Sequence, residues 1–318
     1  MILTVTINPL LERRLTIEQI HLGREHRSKS EVFTAGGKGI NVSRQLNELG
    51  INNLAYTFIG GNNGKILKHI IASEQINLTF VQTKGETRVA SLVFEEENKR
   101  LTTFFGMNPE ISELEVEEFK AKLNKMIENC EIVIFSGSSP SPKTDEIFSY
   151  GIKKANEFDK ISICDTYGAH LKQCIEAGPT IIHNNISETA KSLDLPLNDE
   201  KQILDYLNFL YTKNIKQAYL TDGSKPIYAS NFGFIYKAEF PVLEELDPTG
   251  SGDCFTAGIA YGLHKALTFG ETFSMAVSLG ALNAASWDVC RVRADAITSI
   301  KDKVKILTIG KKINTLSQ

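Results

Sequence analysis

Apolar positions follow two rhythms along this chain. Residues 2–7 are a continuous β-prone run that stops at Asn8-Pro9. Residues 14–20, 30–33, 88–94 and 100–105 are short, β-prone and partly alternating, as half-exposed strands are. They gather within 12–34 and 86–106 and predict a small antiparallel sheet projecting from the main body. Glu95-Glu96-Glu97 reads as its solvated hairpin tip. Between these clusters, Val42, Leu46 and Leu49 share one face of a helix that Gly36-Gly37-Lys38-Gly39 opens and Gly50 closes. A strand over 54–59, a Gly60-Gly61 loop and a helix over 64–73 follow.

From Leu114 the pattern becomes regular. Val116, Phe119, Leu123 and Ile127 mark a helix, 132–135 a buried strand, 143–156 a helix and 161–165 a strand. A short helix, a strand over 180–183, a helix marked by Ile203, Leu207 and Leu210, and a strand over 218–221 come next. Phe255, Ile259, Leu263 and Leu267 recur every four residues in one more helix. Strands alternating with helices of this length predict an α/β fold. The expected form is a doubly wound, mostly parallel sheet with helices on both faces, in one domain over 1–318.

Composition narrows the function classes. A chain of 318 residues with 42% hydrophobic and 23% charged residues is an ordinary globular protein. Its net charge of −3 gives no electrostatic case for nucleic acid or an anionic membrane. No basic leader precedes the first strand, and no apolar run reaches the length of a membrane span. Cysteines 130, 164, 174, 254 and 290 are scattered, without a Cys-x-x-Cys pair. They read as reduced core thiols of a cytoplasmic protein.

The stretch Asp247-Pro248-Thr249-Gly250-Ser251-Gly252-Asp253 carries the sharpest chemistry. A Gly-rich turn opening a helix presents unpaired N–H groups at the positive end of the helix dipole, a site for phosphate or for charge developing on a phosphoryl group. Asp253 falls in the first turn, where a carboxylate can take a proton from a substrate hydroxyl. The plainer alternative is a tight turn with an acidic residue stabilising the helix start. The polar clusters 136–139, 165–168, 184–188 and 221–223 all sit at strand ends, where parallel sheets bind ligands.

These clusters, in this order, resemble the ribokinase or PfkB family of carbohydrate kinases, closest to its phosphofructokinase and tagatose-phosphate kinase branch. The resemblance spans nearly the whole chain. Its specific motifs are Gly36-Gly37-Lys38-Gly39-Ile40-Asn41-Val42 and the Asp247–Asp253 stretch. It implies an ATP-dependent kinase in which Asp253 is the catalytic base and Gly250, Ser251 and Gly252 form the anion hole. Asn185 and Glu188 would order water around Mg²⁺. Thr221, Gly223, Thr249, Gly250, Gly252 and Asn283, with Ala281 and Ala284, would meet the nucleotide. Gly36, Gly37, Asn41, Glu12 and Ser138 would meet the acceptor sugar. Arg27 and Arg88 are candidates for a phosphate already on that sugar, since a guanidinium fork suits phosphate oxygens. Lys38 adds charge or caps its loop. The cofactors implied are ATP and Mg²⁺, with K⁺ as a further candidate, and the partner is a second copy joined through the lid strands.

The sequence also departs from the branch. Glu12 stands where the branch has aspartate, and Ala90 and Leu92 stand where it has asparagine and lysine. His183-Asn184-Asn185 replaces Lys-Pro-Asn, and Pro226 replaces a glycine. Two other functions therefore stay open: a sugar-phosphate-binding regulator with little turnover, and a kinase for an unphosphorylated sugar or nucleoside.

Overall fold

The computed structural model describes residues 1–311. The chain enters the interior of a sheet with β1 (Ile2–Thr6), third from one edge. It leaves for lid strands β2 (Leu10–Ile17) and β3 (Ser30–Gly36), then returns through α1 (Lys38–Glu48), β4 (Asn53–Gly60), α2 (Gly61–Ser73) and β5 (Asn77–Thr83). A second excursion forms β6 (Arg88–Glu95) and β7 (Arg100–Phe105). Helix α3 (Glu113–Glu128) leads to β8 (Ile132–Gly137), which lies on the other side of β1. The sheet then grows outward through α4 (Glu146–Glu157), β9 (Ile161–Thr166), α5 (Leu171–Glu176), β10 (Ile181–Asn185), α6 (Ile186–Leu193), α7 (Glu200–Thr212) and β11 (Gln217–Thr221). It ends with β12 (Ile227–Asn231), β13 (Phe234–Glu239), α8 (Ser251–His264), α9 (Phe269–Ala284), α10 (Ala294–Lys301) and β14 (Lys305–Lys311).

The main sheet is ten-stranded, in the order β14-β13-β12-β11-β10-β9-β8-β1-β4-β5. From β11 to β5 all pairings are parallel, and β12–β14 extend the edge antiparallel. Buried strands alternate their apolar side chains between two cores. Leu3, Val5, Val133 and Phe135 face α3 to α7. Ile2, Ile132, Ile134 and Ile163 face α1, α8 and α9. Helices α8 and α9 approach closely because Gly258 has no side chain; a Cβ there would stand 2.6 Å from Ala276 Cα. The order in which strands are added reverses between β1 and β8, with β4 and β5 on one side and β8 onward on the other, so the crevice at the carboxyl ends of these strands is the expected ligand site.

The lid is a separate four-stranded sheet in the order β3-β2-β6-β7. Its outer pairs are antiparallel, whereas the central pair β2–β6 is parallel. Leu10, Ala90 and Leu92 pack together within it.

Several sequence expectations need correction. Strand β2 begins at Leu10, earlier than expected, and β5, β12, β13 and β14 were not anticipated. No loop separates β4 from α2: Gly60 ends the strand and Gly61, at φ 63°, starts the helix. Helix α8 stops at His264, short of Leu267. Glu95 is not solvated. It is buried and accepts from Ile20 N, Asn98 Nδ2 and the Arg100 guanidinium. The Arg100 bond, opposed by burial and aided by the other donors, holds its pKa below the usual carboxylate range.

Candidate active site

The Asp247–Asp253 turn sits at the carboxyl edge of the sheet and opens α8. Gly250 caps the helix at φ 80°, a left-handed conformation, and a Cβ there would stand 2.6 Å from Val289 Cγ1. Asp247 Oδ1 accepts from Thr249 N at 2.9 Å. From beneath, Asn283 Nδ2 donates to Thr249 O at 2.8 Å and to Ser251 Oγ at 3.0 Å. The N–H groups of Gly252 and Asp253 have no backbone acceptor among the described residues. They are the open donors that a helix start offers to an anion.

Asp253 lies in that first turn and is 4% exposed. Its Oδ2 accepts from Asn41 Nδ2 at 2.7 Å, and Arg44 Nη1 donates to Asn41 Oδ1 at 2.6 Å. Lys38 Nζ bridges Asp165 Oδ1 at 3.2 Å and Glu188 Oε2 at 3.4 Å. Asp165 Oδ2 accepts from Thr256 Oγ1 and Ser136 Oγ, and His183 links Thr256 to Thr221.

Burial drives the Asp253 carboxyl upward. Lys38 opposes this, Asp165 adds to it, the Asn41 bond opposes it and Glu188 adds to it, and the balance is a pKa of about 7. Burial also raises Asp165, but Lys38 and His183 outweigh it and hold that carboxyl below its usual range. Burial lowers Lys38, yet Asp165, Glu188 and Asp253 keep its ammonium above its usual range. Two neighbouring carboxylates thus split: Asp165 stays ionised against Lys38, while Asp253 is poised to exchange a proton near neutrality.

At the lid end, Glu12 Oε2 accepts from Thr34 Oγ1 at 3.2 Å and from Arg14 Nε at 3.3 Å. Arg88 donates from Nη1 to Asn108 Oδ1 and from Nη2 to Asn8 O. Asn8 Nδ2 donates to Asn108 Oδ1 and Ser138 Oγ. Asn8 Oδ1 and Arg88 Nε are buried without a partner. Unsatisfied polar atoms of this kind suit a polar ligand. At the opposite end, Thr221, Gly223, Ile227, Phe240, Val277, Ala281 and Ala284 form a largely apolar slot. One cavity of about 470 Å³ joins both ends over Asp253, a size suited to small-molecule substrates.

That cavity brings together Glu12, Gly37, Lys38, Asn41, Arg88, Ser138, Asn185, Glu188, Thr221, Gly223 and Thr249 to Asp253. Three expected residues do not line it. Gly36 lies behind Glu12, where a Cβ would meet Glu12 Oε1 at 2.5 Å. Asn283 supports the turn from below. Arg27 lies exposed in the segment between β2 and β3, not on a strand. Asn8, Asp165 and Tyr167 line the cavity and were missed as site residues. Their position at strand ends was the available signal.

Asn185 caps α6, its Oδ1 accepting from Ser187 N and Glu188 N. That oxygen is committed, so Glu188 is the group with a carboxylate left to reach a metal's water shell. Among the described residues no group of three or more His, Cys, Asp or Glu side chains is arranged to hold a metal ion directly. No helix among them is long and apolar enough to cross a membrane.

The model of the pfkB family carbohydrate kinases matches residues 12–291. Tagatose-6-phosphate kinase of Staphylococcus epidermidis is 30% identical over 312 residues, covering 97% of this chain and 100% of that protein. Phosphofructokinase-2 of Escherichia coli superposes with a TM-score of 0.85 at 22% identity in its complex with fructose-6-phosphate. Its potassium complex gives 0.87 at 21% identity, and both cover 95% of this chain and 98% of that one. Arabidopsis thaliana ribokinase complexed with ribose and ATP gives 0.74 at 17% identity, covering 94% of this chain and 97% of that one. At these identities the solved structures speak to the fold.

Proposed function

The chain belongs to the pfkB family of carbohydrate kinases, and from that premise we propose that it moves the γ-phosphoryl group of ATP to a hydroxyl of a sugar phosphate. The observation that carries this is Asp253, with its pKa of about 7, between a polar lid end and an apolar slot. Asp253 takes the proton of the acceptor hydroxyl as its oxygen bonds to the γ-phosphorus and the bond to ADP breaks. The open N–H groups of Gly252 and Asp253, presented by the Gly250-Ser251 turn, and the α8 dipole stabilise the charge on the transferring group. Thr221, Gly223, Ala281 and Ala284 hold the nucleotide. Glu12, Gly37, Asn41 and Ser138 hold the sugar, and Arg88 its phosphate.

Mg²⁺, when bound, would neutralise the nucleotide phosphates, and Glu188 is the carboxylate that would hold its water shell. K⁺ is a further candidate, supported by the potassium complex of phosphofructokinase-2. Tagatose 6-phosphate, fructose 6-phosphate and fructose 1-phosphate are the acceptors to try first, given the tagatose-6-phosphate kinase relative. A homodimer through the lid is part of the same reading: Val32, Phe33, Phe104 and Phe105 are exposed on its strands.

The test is an ADP-release assay with MgATP across sugar phosphates, free sugars and nucleosides. Turnover highest on a sugar phosphate is expected. Turnover confined to unphosphorylated acceptors, or absent on all while sugar phosphates bind, would replace this reading.

A further inference from the structure

Arg14 lies on β2, one strand repeat beyond Glu12, and so points to the same face of the lid sheet. Its Nε donates to Glu12 Oε2 at 3.3 Å and its Nη1 to Asp247 Oδ2 at 3.1 Å. Glu12 lines the lid end of the cavity. Asp247 is 1% exposed, and its other oxygen holds the N–H of Thr249 at the start of the anion turn. One guanidinium thus spans the gap between the lid and the main sheet, joining an acceptor-side carboxylate to the loop proposed to receive the phosphoryl group. The lid meets the same side of the body at two other places. Phe94 packs edge-on against Trp287 with ring centroids 4.3 Å apart, and Lys99 lies 3.9 Å from Glu244.

Stability alone does not explain the Glu12–Arg14–Asp247 triad. Removing three charges from water costs about as much as their attraction returns. What the planar fork supplies is fixed geometry, since it binds two carboxylates at set distances and angles. A ligand that pulls on the Glu12 carboxylate bears on its bond to Arg14, and a shift of Arg14 bears on Asp247, whose other oxygen holds the Thr249 amide.

We propose that Arg14 is a positioning residue that couples the two substrate sites, so that occupancy of the acceptor end sets the anion turn and nucleotide binding is felt at Glu12. This rests on the kinase reading above. Coupling between two sites is reciprocal: each ligand tightens the other by the same factor, on the order of tenfold where such coupling operates.

Isothermal titration of the full chain tests it. Tagatose 6-phosphate, fructose 6-phosphate and fructose 1-phosphate are titrated with and without Mg²⁺ and a non-hydrolysable ATP analogue, and the reverse. The parent is expected to show the reciprocal factor. In Arg14→Met and Arg14→Lys the factor should fall to near one while each ligand alone still binds. Lysine keeps the charge but lacks the fork, so it decides the matter even where Arg14→Met fails to fold. Asp247→Asn should lose the factor as well, and the double variant with Arg14→Lys should lose no more. Parent-like coupling in Arg14→Lys, or none in the parent, overturns the proposal and leaves the kinase reading standing. Binding of no sugar phosphate at all overturns both.

Discussion

Asn41 donates its amide to Asp253 Oδ2 at 2.7 Å, tying the first turns of α1 and α8 together across 212 residues of sequence. The bond holds one oxygen of the proposed base and leaves the other for a substrate hydroxyl. As a base Asp253 must be ionised, so kcat should rise with pH through about 7. Asp253→Asn should lower kcat at least about 10²-fold while retaining ATP binding. The stability effect has the opposite sense. Asp253 keeps its proton to about 7 in the fold but only to 3.8 when unfolded. Between those values the folded state binds more protons, so this group's contribution to stability falls as pH rises. Asp253→Asn should therefore gain in Tm relative to the parent at pH 8 and lose that gain near pH 4. A variant with near-normal turnover would remove Asp253 from the role of base.

The Asn41 bond favours the ionised form of Asp253, so its removal has a calculable direction. Asn41→Ala should push the Asp253 pKa above its present value of about 7 and move the rising limb of the pH–rate profile to higher pH. A profile that falls in height without moving along the pH axis would mean that Asn41 serves only to hold the sugar.

Glu188 and Asn185 can be separated by metal titration. Asn185 is a helix cap by its geometry, and Asn185→Ala should cost about 0.5–2 kcal/mol of stability, as caps do. Glu188→Gln should instead raise the Mg²⁺ concentration for half-maximal rate. A metal titration that overlays the parent's would assign Glu188 to its ion pair with Lys38 alone.

Arg88 is the lid cation that reaches the cavity, held by Asn8 and Asn108. Arg88→Ala should weaken sugar-phosphate binding by about 1.5–3 kcal/mol, the scale of a charged hydrogen bond, with little change for ATP. Equal losses for a sugar phosphate and its free sugar would show that Arg88 does not read the phosphate.

The body of the fold was legible in the sequence because long helices and buried strands carry strong periods. Val116, Phe119, Leu123 and Ile127 do line one buried face of α3, and the strand ends 136–139 and 184–188 do meet at the cavity. The edge strands were not legible. Phe234–Glu239 and Lys305–Lys311 pair only at the sheet margin, and their mixed residues give no clean period. Glu95 was misread because three consecutive glutamates look solvated. Only the fold brings Arg100, Asn98 and the Ile20 amide around one of them. The site was legible where residues sit in contiguous motifs, as with Gly37 to Asn41 and Thr249 to Asp253. Arg14 was not, because its partner Asp247 lies 233 residues away and no local pattern marks the pair.

Glu12 poses the remaining question, whether a glutamate in place of the branch's aspartate is a defect or a fit. Glu12 pairs in register with Thr34 on one side and Ala90 on the other, and Arg14 pairs with Leu92. A lysine at position 92 would put two cations side by side in register on neighbouring parallel strands, where like charges repel. The positive charge thus stands on β2 where the branch carries it on β6, and the longer carboxylate is the one that meets it. Gly36 completes the match, since any Cβ there would collide with Glu12. Shortening the side chain by one methylene withdraws the carboxylate from Thr34 and Arg14, and a misplacement of roughly 1 Å can cost ~10²-fold in rate. Glu12→Asp should therefore lower kcat/KM on the natural acceptor by about one to two orders of magnitude. The cost should be smallest on whichever tagatose or fructose phosphate the parent uses worst. The measurement is kcat/KM for parent and Glu12→Asp across the sugar-phosphate panel. A uniform gain would mean that Glu12 is a defect and that Arg14, Ala90 and Leu92 are not a matched set. A loss concentrated on one acceptor would identify the sugar for which this pocket was reshaped.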